Sequence, residues 1–136
     1  MKSGSIQRSG DQVASVRVPG HPLVGEWRPS NVERALLRFR GAKLHFSESP
    51  PVMFSVYINL DTPEDASKEH PGFVGQFKKE PDIREDQIIV FDVTRVLIAL
   101  AKSGDRVSFT VFLETDRAIF SWKSIELAIV AKEVLG

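Results

Sequence analysis

The chain contains no cysteine. That removes disulfide frameworks, thiolate zinc clusters and thiol nucleophiles from consideration. It has no excess of either charge, with Lys+Arg and Asp+Glu both at 18. Neutralising a phosphate backbone needs a basic surplus or a basic stripe, and the linear sequence shows neither, so no nucleic-acid partner is expected. Lys78-Lys79 is followed at once by Glu80 and reads as a solvated turn. No apolar run is long enough to span a bilayer, so no membrane partner is expected. The segment Met1 to Asp11 lacks the apolar centre of a secretory leader. The compartment stays open on these grounds.

What is present is an ordinary globular composition: 136 residues, 42% hydrophobic and 26% charged. That is enough for one core. The chain is expected to divide into a flexible tail and extended arm over 1–31, a β-sandwich over 32–131 and a short tail over 132–136. Within the first part, Val16 and Val18 alternate before Pro19-Gly20. Prolines at 19, 22 and 29 then predict one short edge strand followed by an arm pinned by Leu23, Val24 and Trp27.

From Val32 onward the period is two. "ALLRFRGAKLHF" places Leu37 and Phe39, then Leu44 and Phe46, on one face, with Gly41 as a bend. "VMFSVYINL" alternates strictly, with Val52, Phe54, Val56, Ile58 and Leu60 together and Tyr57 on the other face. "GFVGQF" puts Phe73 and Phe77 on one face, and Gly75 between them marks a bulge or a close approach. In "QIIVFDVTRVLIALAKSGD", Ile88 and Val90 alternate. The period then becomes helical through Val93, Val96, Leu97 and Leu100. The helix is expected over Thr94 to Lys102, capped by Asp92 or Thr94 and ended near Gly104. "DRVSFTVFLE" turns Val107, Phe109, Val111 and Leu113 inward and Ser108, Thr110 and Phe112 outward. After the turn "ETDRA", "IFSWKSIELAIV" closes the domain with Ile125, Leu127 and Ile129 on one face. Six or seven strands and one helix predict an all-β, antiparallel β-sandwich or jelly-roll-like barrel.

Catalytic chemistry is hard to place. His21, His45 and His70 are scattered and lack the spacing of a metal site. Asp61, Glu64, Asp65 and Glu69 share one loop but not the calcium-loop pattern. There is no nucleophile elbow and no phosphate loop. The chain is expected to be no enzyme by itself and to hold no cofactor. Tyr57 is expected under the N-terminal arm or at a docking contact.

The strands, taken in order, resemble the C-terminal, KFDV-type domain of plant-type polyphenol oxidases and tyrosinases. "LRFRGAKLHF" stands in the place of the family's entry strand. "MFSVYIN" (Met53 to Asn59) resembles "KFDVYVN", although Met53 and Ser55 replace the name-giving Lys and Asp. "FVGQF" resembles "FAGSF", "FDVTRVLIALAKSGDRVSFTVFL" resembles the helix and following strand, and "FSWKSIELAIV" resembles the closing strand. The resemblance covers about Val32 to Val130 and does not include the family's copper-binding histidines. It implies a shielding domain that packs over the dicopper site of an oxidase catalytic domain, in the same chain or a separate one, and keeps it latent. The copper pair would belong to that partner. A loop side chain would occupy the substrate entrance, and the candidates for plug or docking contact are Phe73, Leu60, Tyr57 and His70. Two other readings remain: a helper that assists copper loading of an oxidase, supported by Met53 and His70, and a ligand-binding or adhesive sandwich, supported by Trp122 and Tyr57.

A first expectation follows from the absent ligand set. Protein purified and dialysed should retain less than stoichiometric copper or zinc by elemental analysis; one tightly held ion per chain would contradict it.

Overall fold

The structure, a computed structural model, describes residues 4–8, 14–22, 32–46, 51–80, 82–100 and 106–131. Among these, nine strands and one helix follow the order β1 Gly4–Gln7, β2 Ala14–Pro22, β3 Val32–Phe46, β4 Val52–Ile58, β5 Phe73–Lys79, β6 Asp82–Asp92, α1 Thr94–Leu100, β7 Arg106–Leu113, β8 Ala118–Trp122 and β9 Ser124–Ala131. They form two antiparallel sheets. In the first, β1, β8, β3 and β6 lie side by side and β9 also pairs with β3; in the second the order is β2, β7, β4, β5. The sheets face one another as an open sandwich and do not close into a barrel.

Strand β3 organises the first sheet. Its first half pairs with β9, its second half with β8, and β6 runs along its other side. Gly41 is the bend foreseen in the sequence: its φ is 61°, and a Cβ there would stand 2.6 Å from the Lys123 stem. Lys123 N–H in turn donates to Arg40 C=O at 2.8 Å. The bend is therefore shared by β3 and by the β8–β9 junction, which divides the closing strand read from sequence into two.

Alternation then fills the space between the sheets. Leu37, Phe39, Ala42 and Leu44 point inward from β3, Phe54, Val56 and Ile58 from β4, and Phe109, Val111 and Leu113 from β7, all fully buried. Phe39 packs against Phe91, Phe120 and Trp122, with ring centroids 5.9, 5.0 and 5.2 Å away. Phe54, from the opposite sheet, meets the same Phe91 and Phe120 at 5.3 and 5.1 Å. Strand β6 turns Ile89 and Phe91 inward, so Ile88 and Val90 form its outward row. At the open side of the sandwich, Lys79 of β5 donates to Val90 C=O at 2.9 Å and lies 5.5 Å from the Phe91 ring centre. Burial lowers its pKa.

Helix α1 begins where the period changes. Asp92 accepts from both Thr94 N–H and Thr94 Oγ1. Burial pushes the Asp92 carboxyl up, but these two bonds and the charge of Arg34 outweigh it and leave the pKa lowered. Thr94 Oγ1 also accepts from Ala35 N–H at 2.8 Å, which docks the helix on β3. Val93, just before the helix, and Leu97, on it, are fully buried. The expected end near Lys102 and Gly104 lies outside the described residues, as do the arm from Leu23 to Asn31 and the tail over 132–136.

Two differences from the sequence reading concern the N-terminal part. Gly4–Gln7, expected as a disordered tail, is a strand paired with β8. The absence of a side chain at Gly4 explains it, because a Cβ there would sit 2.7 Å from the Trp122 ring, and Ile6 packs on the core. Strand β2 is an edge strand as expected but longer. Its ladder shifts between Val18 and His21, around Pro19, where a missing N–H does least harm.

Replacing Phe39 with Ala should cost about 3–5 kcal/mol of unfolding free energy. Ile88→Ala, on the outward row of β6, should change it by less than about 0.5 kcal/mol. Urea unfolding of the two variants checks the contrast.

Candidate docking loop

The polar segment between β4 and β5 is a folded loop held at both ends. At its entry Asn59 takes a φ of 56°, a left-handed conformation that Asn tolerates better than branched residues do. Asn59 N–H donates to Ser108 C=O at 2.8 Å, and Asn59 Oδ1 accepts from Ser108 N–H at 3.0 Å. This clamp turns the chain off the strand direction. Leu60, grouped by alternation with Val52 to Ile58, is consequently carried to the outer side of the second sheet, where it is 2% exposed.

The middle of the loop is one 3-10 turn over Pro63–Asp65, with Thr62 Oγ1 donating to Asp65 Oδ2 at 3.0 Å. At the exit His70 N–H donates to Ser67 C=O, and Phe73 N–H donates to His70 C=O. Gly72 N–H donates to His70 Nδ1 at 2.9 Å, and Gly72 C=O accepts from Ile58 N–H at 2.8 Å. Only glycine fits there, since a Cβ would fall 1.8 Å from Ile58 O.

Closure of the loop builds a second apolar cluster, separate from the inter-sheet core. It contains Tyr57, Leu60 and Phe112, with Ala66 and Phe73 packed against them. The Tyr57 ring lies 5.3 Å from Phe73, 5.6 Å from Phe112 and 5.9 Å from His70. Each such aromatic pair adds about 0.5–1.5 kcal/mol beyond area burial. All four sequence candidates thus meet in one place, but in different roles. Tyr57 and Leu60 are buried beneath the loop, whereas His70 and Phe73 are half-buried at its exit. Tyr57 is covered by this loop; the N-terminal arm, one of the two settings expected for it beside a docking contact, lies outside the described residues.

Phe73 and Phe77 do not share a face. Phe77 packs on Phe91 in the core, and Phe73 packs outside. The ladder shifts between Val56 and Tyr57, and Gly75, at φ 155°, accommodates the extra residue. The bulge that Gly75 signalled therefore reverses the alternation it interrupts. Asn59 and Gly72 were missed in the sequence; an Asn closing a strand and a Gly just before the next were their only local signals.

The electrostatics are those of a solvated rim around an apolar centre. Asp61, Glu64, Asp65, Glu69 and Glu114 are exposed. Burial, followed by the charges of Glu114 and Glu69, raises the Tyr57 pKa above 10.0. Among the described residues no group of three or more His, Asp and Glu is placed to hold a metal ion.

The chain is thus a two-sheet sandwich with one polar loop folded over its own aromatic cluster. Solved structures share this fold. Latent aurone synthase, a polyphenol oxidase, from its natural source superposes with a TM-score of 0.56 at 15% identity, over 94% of this chain and 28% of that one. The recombinant latent enzyme gives 0.57 at 17% identity, over 94% and 26%. Latent apple tyrosinase gives 0.57 at 19% identity, over 93% and 27%. This chain spans about a quarter of the length of these structures, a share that fits their C-terminal domain. No protein-family model and no curated protein matches the sequence.

Tyr57 is the chain's one tyrosine, so its ionisation can be followed by ultraviolet absorbance. Its phenolate should appear only above about pH 10, the ordinary value, and in Gly72→Ala, which forces the loop open, the midpoint should move back toward that value. Because the folded-state pKa is the raised one, stability is fully present below about pH 10 and falls as pH rises through the folded value. An unshifted wild-type titration would contradict the closed cluster.

Proposed function

We propose that this chain is a non-catalytic domain that packs against the catalytic domain of a polyphenol-oxidase-type copper enzyme and limits access to its copper site. The observation that carries this reading is the loop from Asn59 to Gly72, clamped at both ends and closed over a cluster of its own. Such a loop presents a fixed shape to a partner at little further ordering cost. The likeness in fold to part of latent polyphenol oxidases supports the choice of partner. In this reading the copper pair belongs to the partner. Phe73 is the plug side chain, being half-buried at the loop exit, with His70 beside it. Tyr57 and Leu60 form the platform beneath.

The phenyl ring of Phe73 would contribute roughly 2 kcal/mol by transfer from water. Inhibition then depends on the whole docking surface, with Phe73 setting its position. Adding the domain to a polyphenol oxidase catalytic domain freed of its own C-terminal part should lower diphenol turnover saturably, by at least about tenfold. Deleting residues 61–72 should restore most of the rate, and Phe73→Ala should weaken inhibition about ten- to thirtyfold in midpoint concentration. Undiminished turnover at a large excess of wild-type domain would rule the reading out. Inhibition unaffected by the deletion would move the plug elsewhere.

A further inference from the structure

The outward face of the first sheet carries a row of basic side chains that alternation along β3 brings together. Along β3 the outward positions are Arg34, Leu36, Arg38, Arg40, Lys43 and His45, kept in phase across the Gly41 bend. At about 3.3 Å per residue, this row runs for about 35 Å. Glu126 on β9 holds two of its members: Arg40 Nε and Nη2 both lie 2.7 Å from Glu126 Oε1, and Arg38 Nε lies 3.2 Å from it. The bond from Arg40, against an opposing effect of burial, and the charges of Arg40 and Arg38 hold the Glu126 carboxyl below its usual range. The trio keeps a net positive charge and fixes two guanidinium groups in place. Around them stand Ile88, 46% exposed, Val130, 45%, and Ile119, 39%.

The loop on the outer side of the second sheet has the opposite sign, although the sheet beside it also carries exposed Arg17 and Lys78. Asp61, Glu64, Asp65 and Glu69 project from the loop, with Lys68 as the cation among them, and Glu114 stands nearby. Formal neutrality, 18 against 18, thus hides a basic strand row and an acidic loop on opposite sides of the sandwich. We propose that the outward face of β6, β3 and β9 docks the acidic loop of a second copy of this chain, head to tail.

Charge complementarity selects this occupant. Two basic faces repel, so a two-fold symmetric pairing through this face is disfavoured, and the contact is heterologous. A nucleic acid fits less well, since Glu126 stands inside the row, Glu33 and Asp92 flank it and exposed Ile and Val side chains surround it. Arg set among aliphatic side chains is instead the composition of a protein interface. Strands about 4.8 Å apart, about 35 Å long for β3 and β6 and about 26 Å for β9, offer about 450 Å² per partner. That is the low end for specific association, so the contact is weak and concentration-dependent.

Sedimentation equilibrium tests the pairing. Wild-type protein should gain mass above 15.2 kDa as its concentration rises to about 1 mM in about 0.02 M salt, and return to monomer in about 0.5 M salt, where screening is nearly complete. Arg38→Gln/Arg40→Gln, which disables the face, should stay monomeric, as should Glu64→Lys/Glu69→Lys, which disables the loop. Circular dichroism checks that both keep the fold. Mixed together, the two variants retain one productive contact, from the loop of the first to the face of the second. They should form a 1:1 heterodimer that grows no further. Monomeric wild-type protein, loop variants that associate like wild type, or a mixture that stays monomeric would each overturn the proposal. So would a wild-type monomer whose β3 face binds a polyphenol oxidase catalytic domain, which would make that domain the occupant. A monomer that still inhibits diphenol turnover would sink self-docking alone and leave the shielding reading standing.

Discussion

Phe39 is the contact on which the rest of the sandwich depends. Its ring bears on Phe91 of β6 and on Phe120 and Trp122 of β8, two of the strands paired with β3. Phe54 of the facing sheet closes on Phe91 and Phe120. Edge-to-face packing of this kind sets a distance and an angle between the sheets, not merely an apolar volume. Because β3 also pairs with β6, β8 and β9, the position of one side chain couples the register of the first sheet to its separation from the second.

The loop on the outer side inherits that rigidity. Asn59 is held by Ser108 of β7, and Gly72 by Ile58 of β4, so both ends of the loop are tied to strands whose inner faces lie in the core. The cluster of Tyr57, Leu60 and Phe112 forms only because the loop folds back over it. A partner meeting this surface finds an ordered acidic rim over an apolar base, with Phe73 and His70 at its margin. Charge is separated on the same scaffold. Residues that cancel in the sum are sorted by strand alternation onto one face and by loop geometry onto the other. Each face can therefore act electrostatically on a neighbour although the whole is neutral.

Much of this was legible in the linear pattern. Strict alternation in β4 and β7 identified the inward residues, the change of period located α1 at Thr94, and Gly41 and Gly75 marked a bend and a bulge. Alternation failed where the backbone left the strand conformation. Leu60 follows a left-handed Asn59, and Phe73 precedes the bulge at Gly75, so both changed sides. The strand at Gly4–Gln7 was missed because its reason is a distant indole, Trp122, which needs a neighbour without a Cβ.

The sequence by itself determined the class of fold, the order of most elements and the core-facing residues of the long strands. These follow from side-chain period and turn chemistry, which act between near neighbours in the chain. Only the tertiary structure decided that Tyr57, Leu60, His70, Phe73 and Phe112 meet on one surface, and that Glu126 of β9 stands beside the row of Arg34, Arg38 and Arg40 that alternation along β3 already sets. Those arrangements depend on strand pairing between residues as far apart as Arg40 and Glu126. The first depends also on two backbone reversals that flip faces, at Asn59 and Gly75, and a period of two carries no record of either.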